Sequence, residues 1–345
     1  MRAVRLVRAG GSVAPRVVEV PAPAAPEGTQ VLVRVAASSV NGTDLGLLRG
    51  GRLFRALSGG RVAPGFDVAG EVVACGPTVT GFDVGDRVMA LIGHAGGGMA
   101  ELVLLPQHRV ARGPRALDLE QAAGGGMAEL VLLPQHRVAR APRTIDLEQA
   151  AGIPLAGLTA LQALHGRAGL HARAAPRVLV VGAAGGIGGY AVQLARLAGA
   201  SVTAVADPAR ADFLRDLGAD VVVDRHGDDV LAGDRQWDVV LDAPGALRFA
   251  AVRPSLTRDG VLVSTRPLSP DTVRGLRLRH GPRVTAVATR RSPVDLAHLA
   301  HLVDTARLRV PLDRVVALED VASAFEHAGS GQLRGKVVVS LAERP

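Results

Sequence analysis

Residues 178–189 read Val-Leu-Val-Val-Gly-Ala-Ala-Gly-Gly-Ile-Gly-Gly, and this stretch decides the fold. The short, largely apolar run 177–181 enters the glycine turn. The run 190–197 then has apolar residues at helical spacing, and 200–206 is again apolar and partly β-branched. Strand, glycine turn, helix and strand in this order form the unit that lays a pyrophosphate on a helix N-terminus. Glycine is needed in the turn because a Cβ atom would keep the backbone N–H groups away from the phosphates.

A membrane-spanning helix is the alternative interpretation, because residues 178–195 contain no charge. Five glycines in that window, and the arginines 177 and 196 that bracket it, argue against a spanning helix. The turn departs from the usual G-x-G-x-x-G, since Ala184 stands at the place of the second glycine. Its flanking strands and helix still favour a dinucleotide site, with these turn residues at the cofactor: Gly182, Ala183, Gly185, Gly186, Ile187 and Gly188.

Composition describes a soluble globular protein rather than a nucleic-acid binder. The 345 residues are enough for two domains, and 48% of them are hydrophobic and 21% charged. The net charge of +8 is not taken as evidence of nucleic-acid binding, because the 40 basic residues are scattered along the chain. Only Lys336 among them is a lysine. Aromatic residues make up 2% of the chain, which leaves few platforms for base stacking. We expect no nucleic-acid partner.

Cysteine usage and the N-terminus predict a cytoplasmic protein with no membrane partner. Cys75 is the only cysteine, so disulfide frameworks and multi-cysteine zinc sites are excluded. The first residues alternate arginine with apolar residues like an exposed edge strand, and they lack the apolar core of a signal peptide.

Strand-like and helix-like segments alternate from 177 to about 289. This alternation predicts a doubly wound parallel sheet with helices on both faces, an α/β domain of the Rossmann type. Residues 1–92 contain short β-like runs divided by Gly, Pro and Asp, which are typical of a β-rich domain. A helix at about 293–307 and β-like segments after it complete the chain.

The middle of the chain carries a direct tandem copy. Residues 96–123 and 124–151 match at 25 of 28 positions. Two copies are too few to stack into a solenoid. We expect one copy to occupy a place in the β-rich domain and the other to loop out, without a preference for either copy. Two identical strands competing for one place would also permit register exchange or strand swapping between protomers.

Four phrases in order resemble the zinc-independent quinone oxidoreductases of the medium-chain dehydrogenase/reductase superfamily. They are Asn41-Gly-Thr-Asp44, Pro64-Gly-Phe-Asp-Val-Ala-Gly70, Gly85-Asp-Arg-Val88 and Gly157-Leu-Thr-Ala160, and the tail 333–339 is similar to that family's closing strand. The resemblance implies a GroES-like β-rich domain built from 1–152 and 291–345. It implies a Rossmann dinucleotide-binding domain, 153–290, inserted between these two parts.

The resemblance also implies that no metal is bound. Zinc-using relatives have a Cys near the position of Asn41 and a His near that of Phe66, and neither ligand type is present here. His298 and His301 share a helix face, but nothing nearby completes a coordination set. The resemblance places Asn41 and Asp44 at the floor of the cleft, where they would position substrate or cofactor. The alternative is an Asx turn that closes a strand.

Further cofactor contacts are expected where strands of the sheet end and where the domains join. Strand carboxyl ends face the crevice in doubly wound folds. The resemblance implies further cofactor contacts on two other elements, which are the helix between the two domains and the closing strand. The candidates are Thr159, Ala243, Gly245, Ser264 and Lys336.

The choice between NADP(H) and NAD(H) depends on residues that follow the second strand. Asp207 lies 19 residues after Gly188, where an acid usually hydrogen-bonds the ribose 2′-hydroxyl of NADH. Arg210 and Arg225 fall near positions where relatives hold the 2′-phosphate, which suits arginine. NADP(H) is favoured, and NAD(H) is the alternative.

Without a metal, the nicotinamide must deliver hydride to an acceptor that is already electrophilic. The expected activity is therefore reduction of a small-molecule quinone or activated enone. An enoyl reductase acting on a small metabolite or a carrier-bound thioester is the alternative. A non-catalytic redox sensor that binds nucleotide is a hypothesis of another class. The resemblance also implies a homodimer.

Overall fold

The computed structural model describes residues 1–9, 12–49, 63–92, 127–227, 230–232, 235–266, 269–271 and 281–342. Within these ranges, the two ends of the chain build one β-rich body, and the central part builds an α/β body between them. The inserted Rossmann fold predicted from the sequence is confirmed. In this part of the chain, no helix is long and apolar enough to cross a membrane.

The N-terminal part is mostly β structure. Its elements are β1 (Arg2–Ala9), β2 (Ser12–Glu19), β3 (Gln30–Val40), α1 (Gly42–Arg49), β4 (Asp67–Cys75), β5 (Arg87–Leu91), β6 (Leu130–Pro134), β7 (Val138–Arg140) and α2 (Leu147–Ala150). Strand β3 lies at the centre because Val31, Val33 and Val35, spaced by two, all enter the core. Helix α2 begins where the Asp146 carboxylate accepts a hydrogen bond from Gln149 N at 2.6 Å.

The central part begins with a helix that links the two bodies. Its elements are α3 (Pro154–Leu161), a π-helical segment (Gln162–Arg167), β8 (Arg177–Val181), α4 (Gly186–Leu197), β9 (Ser201–Ala206), α5 (Ala211–Asp216), β10 (Val221–Asp224), β11 (Trp237–Asp242), α6 (Phe249–Val252), β12 (Leu256–Ser264) and β13 (Arg283–Ala286). The described strands of this part pair in parallel in the order β10-β9-β8-β11-β12-β13. The direction of winding reverses between β8 and β11, so a crevice opens at their carboxyl ends.

The last elements return to the β-rich body. They are α7 (Pro293–Asp304), β14 (Leu312–Ala317), α8 (Val321–Gly329) and β15 (Lys336–Ser340). The larger sheet has the order β14-β15-β3-β4-β5-β7, with β6 also on β3. Strand β15 pairs antiparallel with the end of β3, Val337 opposite Val40. This pairing brings Lys336 next to the residues that follow β3.

The second tandem copy fills a place in the β-rich body. It supplies β6, which pairs with β3, and β7, which pairs with β5. The first copy, 96–123, lies outside the described residues. The copies differ at three positions, and the second copy has Ala141, Thr144 and Ile145 there. The Thr144 hydroxyl donates to Asp304 Oδ1 at 3.0 Å, and Ala141 is buried. The second copy is therefore the better fit to this place.

Deleting either copy tests this assignment with matched variants. Deletion of 96–123 and deletion of 124–151 give chains that differ only at these three positions. We expect the first deletion to keep the free energy of unfolding of the whole chain. We expect the second to be about 1–2 kcal/mol less stable, because it loses the Thr144 hydrogen bond and gains a glycine. Urea unfolding of both chains measures this, and a reversed order of stability would contradict it.

Candidate active site

A cleft of about 880 Å³ lies between the two bodies, at the carboxyl ends of β8, β9 and β11. This volume is in the usual range for a cofactor or ligand site. The cleft brings together most of the residues that the sequence singles out. The predicted residues that line it are Asn41, Thr159, Gly182, Gly185, Gly186, Ile187, Gly188, Asp207, Arg210, Arg225, Ala243 and Lys336.

The glycine turn has the geometry that a pyrophosphate requires. Gly182 adopts a φ of +71°, which other residues rarely take. A Cβ atom at Gly188 would lie 2.3 Å from the carbonyl oxygen of Gly182. Helix α4 begins after Gly185, and no side chain caps its first N–H groups. These groups belong to residues that line the cleft, so the turn fits the diphosphate of a nicotinamide dinucleotide.

One glycine of the turn makes room for a side chain instead. A Cβ atom at Gly186 would lie 2.6 Å from Cδ of Lys336. The lysine stem therefore crosses the turn, and its ammonium group lies beyond, 3% exposed. Its Nζ donates to Asn41 Oδ1 at 2.5 Å and to the Val40 carbonyl at 3.2 Å. Burial lowers the pKa of Lys336, against the opposing effect of nearby carboxylates.

Asp67 completes this cluster, and the sequence analysis missed it. Its Oδ2 accepts a hydrogen bond from Asn41 Nδ2 at 2.9 Å, accepts another from the Ser39 hydroxyl, and lies 3.6 Å from Lys336 Nζ. Its Oδ1 accepts from Leu155 N at 2.7 Å, near the start of α3. Asp67 thus joins the β-rich body to the connecting helix.

Asn41 is held on every side by this cluster. Its Nδ2 also donates to the Ser39 carbonyl at 3.2 Å, and its Oδ1 accepts from Lys336. Both amide hydrogens have protein acceptors, so the side chain has no donor left for a substrate oxygen. Asn41 lines the cleft, but its contacts are those of a residue that positions the lysine.

Asp44 is fully buried beneath the cleft and does not line it. Its carboxylate accepts hydrogen bonds from Asn41 N at 2.8 Å and Gly65 N at 2.7 Å. Burial raises the pKa of Asp44 to about 7, against the opposing effect of these two N–H groups. Asp44 therefore caps the start of α1 through the N–H three residues before it, which differs from the Asx turn expected as the alternative.

The raised pKa of Asp44 predicts a pH-dependent stability. The native state holds this proton more tightly than the unfolded chain. The contribution of Asp44 to the free energy of unfolding should therefore fall by a few kcal/mol as pH rises from about 4 to about 7. Asp44→Asn cannot ionise and should lose less stability between about pH 5 and about pH 7.5. Urea unfolding at both pH values measures the difference, and equal losses in the two proteins would contradict the prediction.

Two threonines meet at the other side of the cleft. The Thr159 hydroxyl donates to the Leu155 carbonyl at 2.6 Å and lies 2.7 Å from the hydroxyl of Thr289. Thr289 also lines the cleft, and no sequence signal marked it. The only tyrosine, Tyr190, is buried and donates to the Gly152 carbonyl, so it does not reach the cleft.

Basic side chains collect at the end of β9. The Asp207 carboxylate accepts from Ala209 N at 3.0 Å and lies 4.0 Å from Arg225 Nη2. Arg210 Nη2 donates to the Gln332 carbonyl at 2.8 Å. The acid is therefore engaged in capping a helical turn and facing an arginine, while two guanidinium groups line the cleft beside it.

The remaining predicted residues, Ala183, Gly245 and Ser264, are buried and do not line the cleft. Gly245 instead shapes a neighbouring loop with a φ of +68°. Its N–H donates to the buried carboxylate of Asp242 at 3.0 Å. These residues support the wall of the cleft from behind.

Comparison with known proteins agrees with this geometry. A family model described as an alcohol dehydrogenase GroES-like domain matches residues 27–143, and one described as a zinc-binding dehydrogenase matches 217–339. A chloroplast envelope quinone oxidoreductase homolog from Arabidopsis thaliana is 28% identical, over 96% of this chain and 95% of its own length. The solved quinone oxidoreductase from Coxiella burnetii has a TM-score of 0.81 at 27% identity, over 99% of both chains.

These matches support a quinone oxidoreductase-like protein of the medium-chain dehydrogenase/reductase superfamily, as the motif order predicted. A second relative, the trans-enoyl reductase pgmF of Aspergillus terreus, is 28% identical over 91% of this chain and 87% of its own. Members of this superfamily are nicotinamide-dependent oxidoreductases, and the cleft has the matching turn.

The side chains beside the cleft do not suit a catalytic zinc. The two positions near which zinc-using relatives place their ligands hold Asn41, whose amide is fully engaged, and Phe66, whose ring cannot ligate. In the described ranges, no three His, Cys, Asp or Glu side chains group together as a metal would require.

Proposed function

We propose that this protein transfers hydride from NADPH to a quinone or activated enone without zinc. The observation that carries the proposal is the buried cluster of Lys336, Asn41 and Asp67. Asn41 stands at one of the positions that the resemblance gives to metal ligands, and the cluster brings a lysine ammonium to the cleft wall there. An acceptor that is already electrophilic needs no metal to polarise it.

The residues of the chain have separable roles in this proposal. The N–H groups at the start of α4 would hold the diphosphate. Arg210 and Arg225 would hold a 2′-phosphate, which favours NADPH over NADH. When bound, the nicotinamide supplies the hydride. The Lys336 ammonium would favour negative charge that develops on the acceptor oxygen.

The proton for the reduced product would come from water. Asp44 and Tyr190 are buried away from the cleft, and the Lys336 ammonium is hydrogen-bonded to protein oxygens. Apolar side chains such as Leu45, Leu155 and Val287 line the cleft. This lining suits a flat, apolar acceptor such as a quinone.

The second candidate is an enoyl reductase, which the likeness to the trans-enoyl reductase of Aspergillus terreus favours. A panel of quinones, simple enones and enoyl thioesters separates the candidates, with consumption of NADPH as the readout. We expect turnover with quinones and simple enones. Turnover with enoyl thioesters alone would favour the second candidate. Binding of NADPH without any turnover would favour the redox sensor.

The homodimer and the cytoplasmic location stay predictions. In the described part of the α/β body, β10 and β13 are the edge strands of the six-stranded sheet, and an edge strand is a place where a second copy could pair. Sedimentation of the purified chain tests the dimer. The Arabidopsis relative is named for the chloroplast envelope, so location needs its own experiment.

A further inference from the structure

A second cavity, of about 400 Å³, lies beside the cleft and has no part in the proposed reaction. The end of α3, the π-helical segment and the residues after β13 line it. Ala288 and Arg290 line this cavity, whereas Thr289 between them lines the cleft. Val287 lines both. The two cavities are therefore neighbours that share one wall.

The charge of the second cavity is predominantly positive. Arg167 and Arg290 line it, and neither guanidinium has an ion pair or hydrogen bond with the residues that the structure describes. His165 lies beside them, and its ring stacks on that of His171 with 6.1 Å between centroids. Asp295 is the acid in the lining, and its carboxylate accepts from Gln162 Nε2 at 3.0 Å. Two permanent positive charges thus face one carboxylate that already has a donor.

The backbone around these arginines is fixed by one glutamine. The Gln162 side chain accepts from Arg290 N at 2.9 Å and donates to the Arg290 carbonyl at 2.9 Å. This pair of bonds joins the first residue of the π-helical segment to the segment after β13 that carries Arg290. The π-helical turn is rare in proteins and is frequent at functional sites. It contains both His165 and Arg167.

We propose that this cavity binds the phosphate or carboxylate group of a small molecule, held by the guanidinium groups of Arg167 and Arg290. Guanidinium groups match the planar, bidentate geometry of these anions. A concave site with unpaired cations also concentrates anions from solution. The anion is either the tail of an acceptor that reaches from the cleft or a free metabolite. The first of these sources rests on the proposed function, whereas the second does not.

Calorimetric titration with inorganic phosphate tests the site in the full-length chain. Excess NADPH is present, so that the cleft itself is filled. We expect saturable binding that weakens at least about tenfold in Arg167→Gln/Arg290→Gln. Both side chains are exposed, so this variant should fold. The exposed Arg258→Gln serves as a matched control and should bind as the unaltered chain does.

A variant of the cleft separates this site from the cofactor site. Arg210→Gln/Arg225→Gln should keep the affinity of the second cavity for phosphate, whether or not NADPH binds in the cleft of this variant. Absence of saturable binding, or equal affinity in Arg167→Gln/Arg290→Gln and the unaltered chain, would overturn the proposal. So would loss of binding only in the cleft variant.

Steady-state kinetics then identify the source of the anion. If the site holds an acceptor's tail, phosphate should raise the KM of a carboxylate-bearing enone and leave that of a neutral quinone unchanged. If the site holds a free metabolite, phosphate should change the rate with the neutral quinone as well. Both patterns should disappear in Arg167→Gln/Arg290→Gln.

Discussion

Replacement of Lys336 by methionine is expected to lower the free energy of unfolding by about 3–5 kcal/mol, because it leaves Asp67 as an unpaired buried charge. Lys336 is 3% exposed, and Asp67 is fully buried. Their charges are 3.6 Å apart, and Asn41 bridges them. Urea unfolding measures the loss. A change below about 1 kcal/mol would show that the pair does not hold this region together.

The double variant Lys336→Met/Asp67→Asn separates stability from catalysis. It removes both charges, so much of the lost stability should return. The reduction rate should still be lower by at least about tenfold, since the cation beside the acceptor is gone. Lys336→Arg is the matched control for charge. It should also be destabilised, because a larger guanidinium would have to enter the buried space that the ammonium now fills.

The second large effect is expected at the end of β9. Arg210→Gln/Arg225→Gln should raise the KM for NADPH by about 10–100-fold and leave that for NADH nearly unchanged. Both guanidinium groups line the cleft beside Asp207, whose carboxylate caps Ala209 N. A 2′-phosphate would lose two charge-assisted partners, whereas a 2′-hydroxyl would lose neither.

Steady-state kinetics with both cofactors measure this change in preference. Arg215→Gln is a suitable control, because Arg215 lies on α5 and pairs with Asp212 away from the cleft. Equal changes for NADPH and NADH would contradict the assignment of the arginines to the 2′-phosphate. So would an unaltered protein that prefers NADH.

The glycine turn and the alternating strands were predictable because their signals are local. Gly182 and Gly188 lie in one short turn, and the strands and the helix that flank this turn are close to it in the sequence. Family motifs then placed Asn41 near the cleft. Which tandem copy fills the β-rich body could not be predicted, since the copies have the same strand pattern and differ at three positions.

The ionic cluster was not predictable, because its members are distant in sequence and meet only through sheet pairing. In the sequence, Asp67 stands out only as part of a family motif, and Lys336 only as a predicted contact to the cofactor. One signal was present and unused. Lys336 is the only lysine among 40 basic residues, and arginine replaces lysine everywhere else. Lys336 is also the lysine whose ammonium is buried, at 3% exposure, in a space where a guanidinium would be larger.

The π-helical segment left no trace in the sequence pattern. One extra residue per turn shifts Gln162, His165 and Arg167 to new directions, and hydrophobic periodicity over six residues cannot show such a shift. The second cavity therefore emerges only from the folded chain.

Hydride transfer from NADPH to an activated acceptor, with Lys336 rather than zinc beside it, is tested most directly by removing metal from the enzyme. The rate of quinone reduction by NADPH is measured after exhaustive dialysis against a chelator, and the zinc content of the same sample is determined. We expect an unchanged rate at a zinc content far below one ion per chain. Loss of the rate on chelation, with recovery on addition of zinc, would contradict it.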